Sequence, residues 1–273
     1  VNTTLHPLDE RCVSVNARLA AYMSDDGASS PAGKAGSRCP VCDGALEQAG
    51  EDGEPHRLVH RFREDATRCP LTTPSYQPDG IGVHQQRDVR LLAAHRDIFL
   101  RHWSLHFQVM RRAVPALTIQ RFVHLIEYAD VLNLWSYPEL DERDVPYVLL
   151  VMAGFIRQVP QPAGDEDDAE GEVTWVRFWF DSSVSDEGDL WLQGRARPQL
   201  FRLIYRDPEL TPFPTGAEVL QWETVVRDEA FLDNPVASVA SVSRADMQAF
   251  HRFMGMSPGR DGRLMDGRGA AWF

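Results

Sequence analysis

The stretch "RCPVCDGAL", residues 38–46, sets two thiols two residues apart beside a proline. Cysteines at that spacing are what a tetrahedral zinc site takes from one tight turn. Downstream stand His56, His60 and Cys69, the last again followed by proline. Two completions follow. Cys39 and Cys42 can join His56 and His60, or they can join Cys69 and a single histidine.

Local chemistry bears on the choice. Pro55 suits the first turn of a helix running "PHRLVHRFRED". Four residues apart, His56 and His60 would share a face of that helix. The set C-x2-C-x13-H-x3-H resembles the two-Cys, two-His zinc finger, with Leu46 at its first apolar position. The second apolar position falls on Gly53, and "GEDGEP" does not favour helix before the first histidine. The repeated Cys-Pro pairing favours Cys39, Cys42, Cys69 and one histidine, with His60 ahead of His56. Four filled positions and a high sulfur content describe a structural Zn2+ rather than a catalytic one. Cys12 is left over and reads as a small buried apolar residue.

Working outward, residues 1–82 form an irregular module with little apolar periodicity, for which a metal would supply cohesion. A short helix is expected near residues 8–23. Residues 83–160 read as a helical segment. Leu92, Phe99, Trp103, Phe107, Met110 and Val114 recur three or four apart along what the pattern predicts to be one long helix. Ile119, Phe122, Val123 and Ile126 mark a second, and "VPYVLLVMAGFIRQV" a third that is apolar nearly all round. Residues 161–172 are an acidic linker or loop. In 173–256, "EVTWVRFWFD", "DLWLQG", "LFRLIYR" and "VLQWETVV" carry strand signals, the first two reading as a hairpin around "SSVSDEG". "SRADMQAFHRFM" closes that part with a helix capped by Ser243 and ended before Gly255. Residues 257–273 read as an extended tail. The fold class expected is α+β: an N-terminal zinc-knuckle module, a central helical segment, and a C-terminal antiparallel β-sheet with a final helix.

The chain has 273 residues and a formal net charge of -12, which excludes a surface uniformly coated in basic charge. No apolar run reaches the roughly 18 residues of a membrane span, so no membrane partner is expected. The first residues, "VNTTLHPLDERC", lack the basic region and apolar core of a secretory signal, and the expected location is the cytoplasm.

Against that acidic background the helix expected at 84–121 is locally basic, with Arg87, Arg90, Arg96, Arg101, Arg111, Arg112 and Arg121. They suit a phosphate-bearing or acidic partner, or a solvated face that pairs with the chain's own carboxylates. "RDIFLRH", residues 96–102, is similar to the Arg-polar-x4-His element of HEPN-type ribonucleases. That resemblance implies an acid/base role for His102 and phosphate stabilisation by Arg96. His102 and His106 lie four apart beside the apolar stripe, where histidines are more often hydrogen-bonded boundary residues than ligands.

No nucleophile elbow, dinucleotide turn, phosphate loop or kinase set is present, and no catalytic residue is assigned. The chemistry favours a non-enzymatic, zinc-stabilised binding or adaptor protein that meets other proteins in a larger assembly. The alternative is a nucleic-acid-associated protein or nuclease subunit working through the Arg/His-rich helix.

Overall fold

A computed structural model describes residues 3–5, 12–14, 38–39, 41–49, 57–73, 86–159, 172–192, 197–233 and 242–255. Helices and antiparallel sheets are both present, an α+β chain. The chain divides into two compact units that interleave in sequence. One contains residues 1–80, 157–185 and 196–225; the other contains 81–156, 186–195 and 226–273.

The first unit opens with β1 (Thr3–Leu5) and β2 (Cys12–Ser14), an antiparallel pair in which Leu5 faces Cys12. Cys12–Ser14 is a strand, where the sequence led to helix; the other residues of the expected helix near residues 8–23 lie outside those described. Next come β3 (Leu46–Ala49) and β4 (Arg57–His60), paired antiparallel with Leu46 opposite His60. Leu46, Leu58 and His60 are buried while Glu47 is exposed. This period-two alternation is the reason Arg57–His60 forms a strand and not the expected helix. A helix does follow, but only as the short α1 (Arg63–Arg68). His56 lies outside the described residues.

The larger sheet of this unit has the order β5 (Ile156–Gln158), β6 (Thr174–Phe180), β7 (Leu200–Arg206), β8 (Val219–Thr224). Strands β6 and β7 pair antiparallel from Thr174↔Arg206 to Phe180↔Leu200, and β8 continues the sheet against β7. Val176, Phe178, Phe180 and Leu200 are buried on one face of this sheet, and Phe201, Leu203 and Tyr205 on the other. The partner of β6 is therefore β7, not "DLWLQG". Glu187–Trp191 is instead a 3-10 turn, closed by reciprocal bonds between Asp186 and Asp189. Short acidic side chains that bond the local backbone favour such a turn over a ladder.

The second unit carries α2 (Val89–Arg101), α3 (Trp103–Ala113), α4 (Ile119–Val131), α5 (Val145–Met152) and α6 (Arg244–Phe253). The Asp88 carboxylate caps α2 by accepting from Arg90 N–H and Leu91 N–H at 2.9 and 3.1 Å. The expected single long helix is broken at His102, where φ is -106° and ψ 13°, so the stripe continues on a second axis. In α5 every residue from Val145 to Val151 is buried. The predicted third helix ends there, and Ile156 begins a strand after Gly154 takes a φ of 62°. Ser243 caps α6 through Asp246 N–H at 3.0 Å, and Gly255 stops it with a φ of 68°.

Aromatic rings knit these helices together. Phe99 lies 4.9 Å from Trp135, Phe107 lies 5.2 Å from Phe122, and Trp103 stacks on Phe250 at 3.9 Å. Phe250 is 1% exposed and fastens α6 to the other helices. Among the described residues no helix is long and apolar enough to cross a membrane. Replacing Phe250 with alanine removes the stack and leaves a void, so Phe250→Ala should cost about 3–5 kcal/mol in denaturant unfolding. A loss below about 1 kcal/mol would show that α6 is not integral to this core.

Candidate metal centre

Cys39 and Cys42 sit on one closed turn. Asp43 N–H donates to Cys39 C=O at 2.9 Å, and Cys39 N–H donates to Gly44 C=O at 2.9 Å. Asp43 adopts a left-handed φ of 57°, a conformation that a short polar side chain tolerates. The Arg38 guanidinium grips its carbonyl and carboxylate at 2.9 and 2.8 Å. Gly44 N–H points at Cys42 Sγ from 3.4 Å, a bond that favours a thiolate there. A Cβ on Gly44 would come within 2.8 Å of the Asp65 side chain, so the turn and α1 approach closely because residue 44 is glycine.

The other two donors arrive on neighbouring elements. His60 ends β4 facing the same side as Leu46, and Cys69 caps the end of α1, its N–H bonded to Asp65 C=O at 2.9 Å. Cys39 Sγ lies 3.8 Å from Cys69 Sγ, and Cys42 Sγ lies 3.1 Å from His60 Nε2. Ligand atoms from Cys39, Cys42, His60 and Cys69 all fall within 4.8 Å of one another, close enough to hold a metal ion. Cys39 and Cys69 are fully buried, and Cys42 is half-buried.

The Cys39–Cys69 separation can be set against the edge of a zinc tetrahedron. A tetrahedron with metal–sulfur bonds of about 2.3 Å has its sulfurs about 3.8 Å apart. The Cys39–Cys69 separation matches that edge. Without a cation the thiols share charge unequally. Cys39 is pulled far below the ordinary thiol range because Cys42 and Cys69 donate to its thiolate. Cys42 and Cys69 are in turn pushed up, chiefly by giving those bonds and then by burial. Three simultaneous thiolates therefore need a positive ion among them.

Five of the seven arginines singled out in the sequence have partners within the second unit. Arg96 holds both Asp130 oxygens, at 2.8 and 2.9 Å through Nε and the terminal nitrogen. Arg112 meets Asp228 at 2.8 Å, Arg101 meets Asp97 at 3.3 Å, and Arg111 meets Asp246 at 3.8 Å. Arg121 donates to Ala153 C=O at 2.6 Å. Arg87 and Arg90 are exposed at the start of α2. His102 Nδ1 and His106 Nε2 converge on one oxygen of Glu142, at 2.8 and 3.0 Å.

Glu142 carried no local signal in "ELDERD"; it lies 40 and 36 residues from the two rings it meets. Glu187 was equally silent. It is fully buried, neither oxygen has a hydrogen-bond partner among the described residues, and burial followed by the Asp186 charge pushes its carboxyl well above the usual range.

No protein-family model, curated protein or solved structure matches the chain.

The histidine–glutamate cluster makes a pH prediction. Burial holds His106 below its ordinary value of 6.5, against the opposing pull of Glu142. Burial raises Glu142, but the bonds from His106 and His102 outweigh it and leave the carboxyl below 4.5. Both groups bind protons more readily when unfolded. Their stability contribution is complete above about pH 6.5 and is lost as pH falls, first through His106 and then through Glu142. Thermal melting between pH 7 and pH 4 should show this decline, and His106→Gln should flatten its upper part. An unchanged slope in the variant would remove His106 from the acid response.

Proposed function

We propose that this chain is a non-enzymatic binding or adaptor protein whose N-terminal module is held by one structural Zn2+. The observation that supports this reading is the composition of the Cys39, Cys42, His60 and Cys69 cluster. Three sulfurs and one imidazole fill the four positions of tetrahedral zinc and leave none open for substrate. Soft sulfur donors also disfavour magnesium, calcium or manganese. Such an ion contributes folding free energy directly, which suits a module built from short elements. An adaptor presents rigid surfaces to protein partners, and the metal supplies that rigidity in place of a large core.

The nucleic-acid reading has less support. A phosphate would have to displace Asp130 from Arg96 and Asp228 from Arg112, while His102 is engaged by Glu142. Arg87 and Arg90 remain as exposed cations at one helix end.

Metal content by mass spectrometry, on protein purified without added metal, tests the zinc. One zinc ion per chain is expected, with its loss and a lowered Tm in Cys39→Ser. A folded, metal-free protein would contradict the reading. Binding to mixed-sequence RNA and DNA, followed by fluorescence anisotropy, separates the two functions. The adaptor reading predicts no appreciable binding at about 50 mM salt. Tight binding that collapses by about 200 mM would transfer the function to nucleic acid.

A further inference from the structure

Thr72 lies three residues past Cys69, in a turn closed by Thr72 N–H and Thr73 N–H donating to Cys69 C=O at 3.0 and 2.8 Å. Its hydroxyl has a single hydrogen, which it gives to Ala66 C=O at 2.8 Å. Toward His60 Nδ1, 3.3 Å away, the same oxygen can therefore only accept. Nδ1 must carry the imidazole proton, and Nε2, beside Cys42 Sγ, is left with its lone pair. A hydrogen bond to the far nitrogen of a metal-binding histidine fixes both the tautomer and the ring orientation.

A second contact holds Thr72 itself. Gly216 N–H donates to Thr73 C=O at 2.7 Å. A Cβ on Gly216 would stand 2.4 Å from the Thr72 carbonyl carbon and 2.6 Å from Thr72 Cα and Thr73 N. All three atoms are backbone, so no side-chain rotation could make room. Gly216 is fixed in turn, because Thr215 donates from its N–H and its hydroxyl to one Glu218 carboxylate oxygen, at 2.7 and 2.6 Å, just before β8.

Resting on the zinc reading, we propose that Thr72 selects Nε2 of His60 as the metal-binding nitrogen, and that the backbone clasp at Gly216 holds Thr72 in place to do so. Both are positioning residues rather than ligands. The clasp ties the loop before β8 to a site whose ligands lie far away in sequence. Loading the metal consequently orders the entry to β8, and disturbing that entry weakens the metal.

Zinc affinity is measured by chelator competition on the full chain. Thr72→Val, which keeps the shape but cannot accept, should bind zinc about 10–100-fold more weakly. Thr72→Ser, which keeps the hydroxyl, should restore wild-type affinity. Gly216→Ala should weaken zinc by about tenfold, the low end of the same range.

Two measurements on the zinc-loaded wild type need no variant. Long-range proton–nitrogen NMR should find His60 protonated on Nδ1 and metal-bound through Nε2. The Gly216 amide should be protected from hydrogen exchange and should lose that protection on chelation. Metal bound through Nδ1, or Thr72→Val binding as tightly as wild type, would overturn the role of Thr72. Unchanged Gly216 protection would overturn the clasp. A wild type that binds no zinc at all would retire the metal reading itself, a result distinct from either.

Discussion

Three sulfurs and an imidazole crowded within 4.8 Å impose the constraint around which the small elements of the first unit are arranged. Neutral thiols could pack there, but three thiolates cannot without a cation. The surrounding pieces need that tie. A two-stranded hairpin of four-residue strands is marginal alone. The six-residue α1 buries no residue and is shorter than any helix stable by itself. Turn, hairpin, helix and Cys69 loop each supply one donor or its support, so the proposed zinc would join four weak elements into one body.

Much of this centre was legible because thiol spacing is a local property. Cys39-x2-Cys42 and the Cys69-Pro pair reported themselves, and Cys69 with His60 follows from preferring sulfur. The route to His60 differs from the one its flanking residues suggest. Pro55 and the four-residue histidine spacing argued for helix, whereas cross-strand pairing of Leu46 with His60 decided for strand. Periodicity within "RLVH" is too short to separate the two without its partner strand. Thr72 and Gly216 were invisible for a deeper reason. One acts through a hydrogen-bond direction and the other through the lack of a side chain, and neither leaves a pattern in composition.

The helical unit shows the same division. The apolar stripe, the Ser243 cap and the buried "VPYVLLV" were readable because each is set by neighbours within a few turns. The break at His102 was not, since one apolar stripe runs through both helices. Long-range pairing likewise gave β6 to β7, past the nearer "DLWLQG", where acidic side chains captured the local backbone. Charge followed suit. The surplus arginines of α2 and α3 looked like a phosphate face in one dimension, but Asp130, Asp228 and Asp246 meet them from distant parts of the chain.

X-ray absorption at the zinc edge tests the central claim most directly, because it counts the donors around the ion. The account predicts three sulfur neighbours at about 2.3 Å and one nitrogen at about 2.0 Å, with no further light atom in the first shell. Two sulfurs with two nitrogens would put a second histidine in place of Cys69 and contradict it. A shell dominated by oxygen would show that these cysteines do not hold the metal.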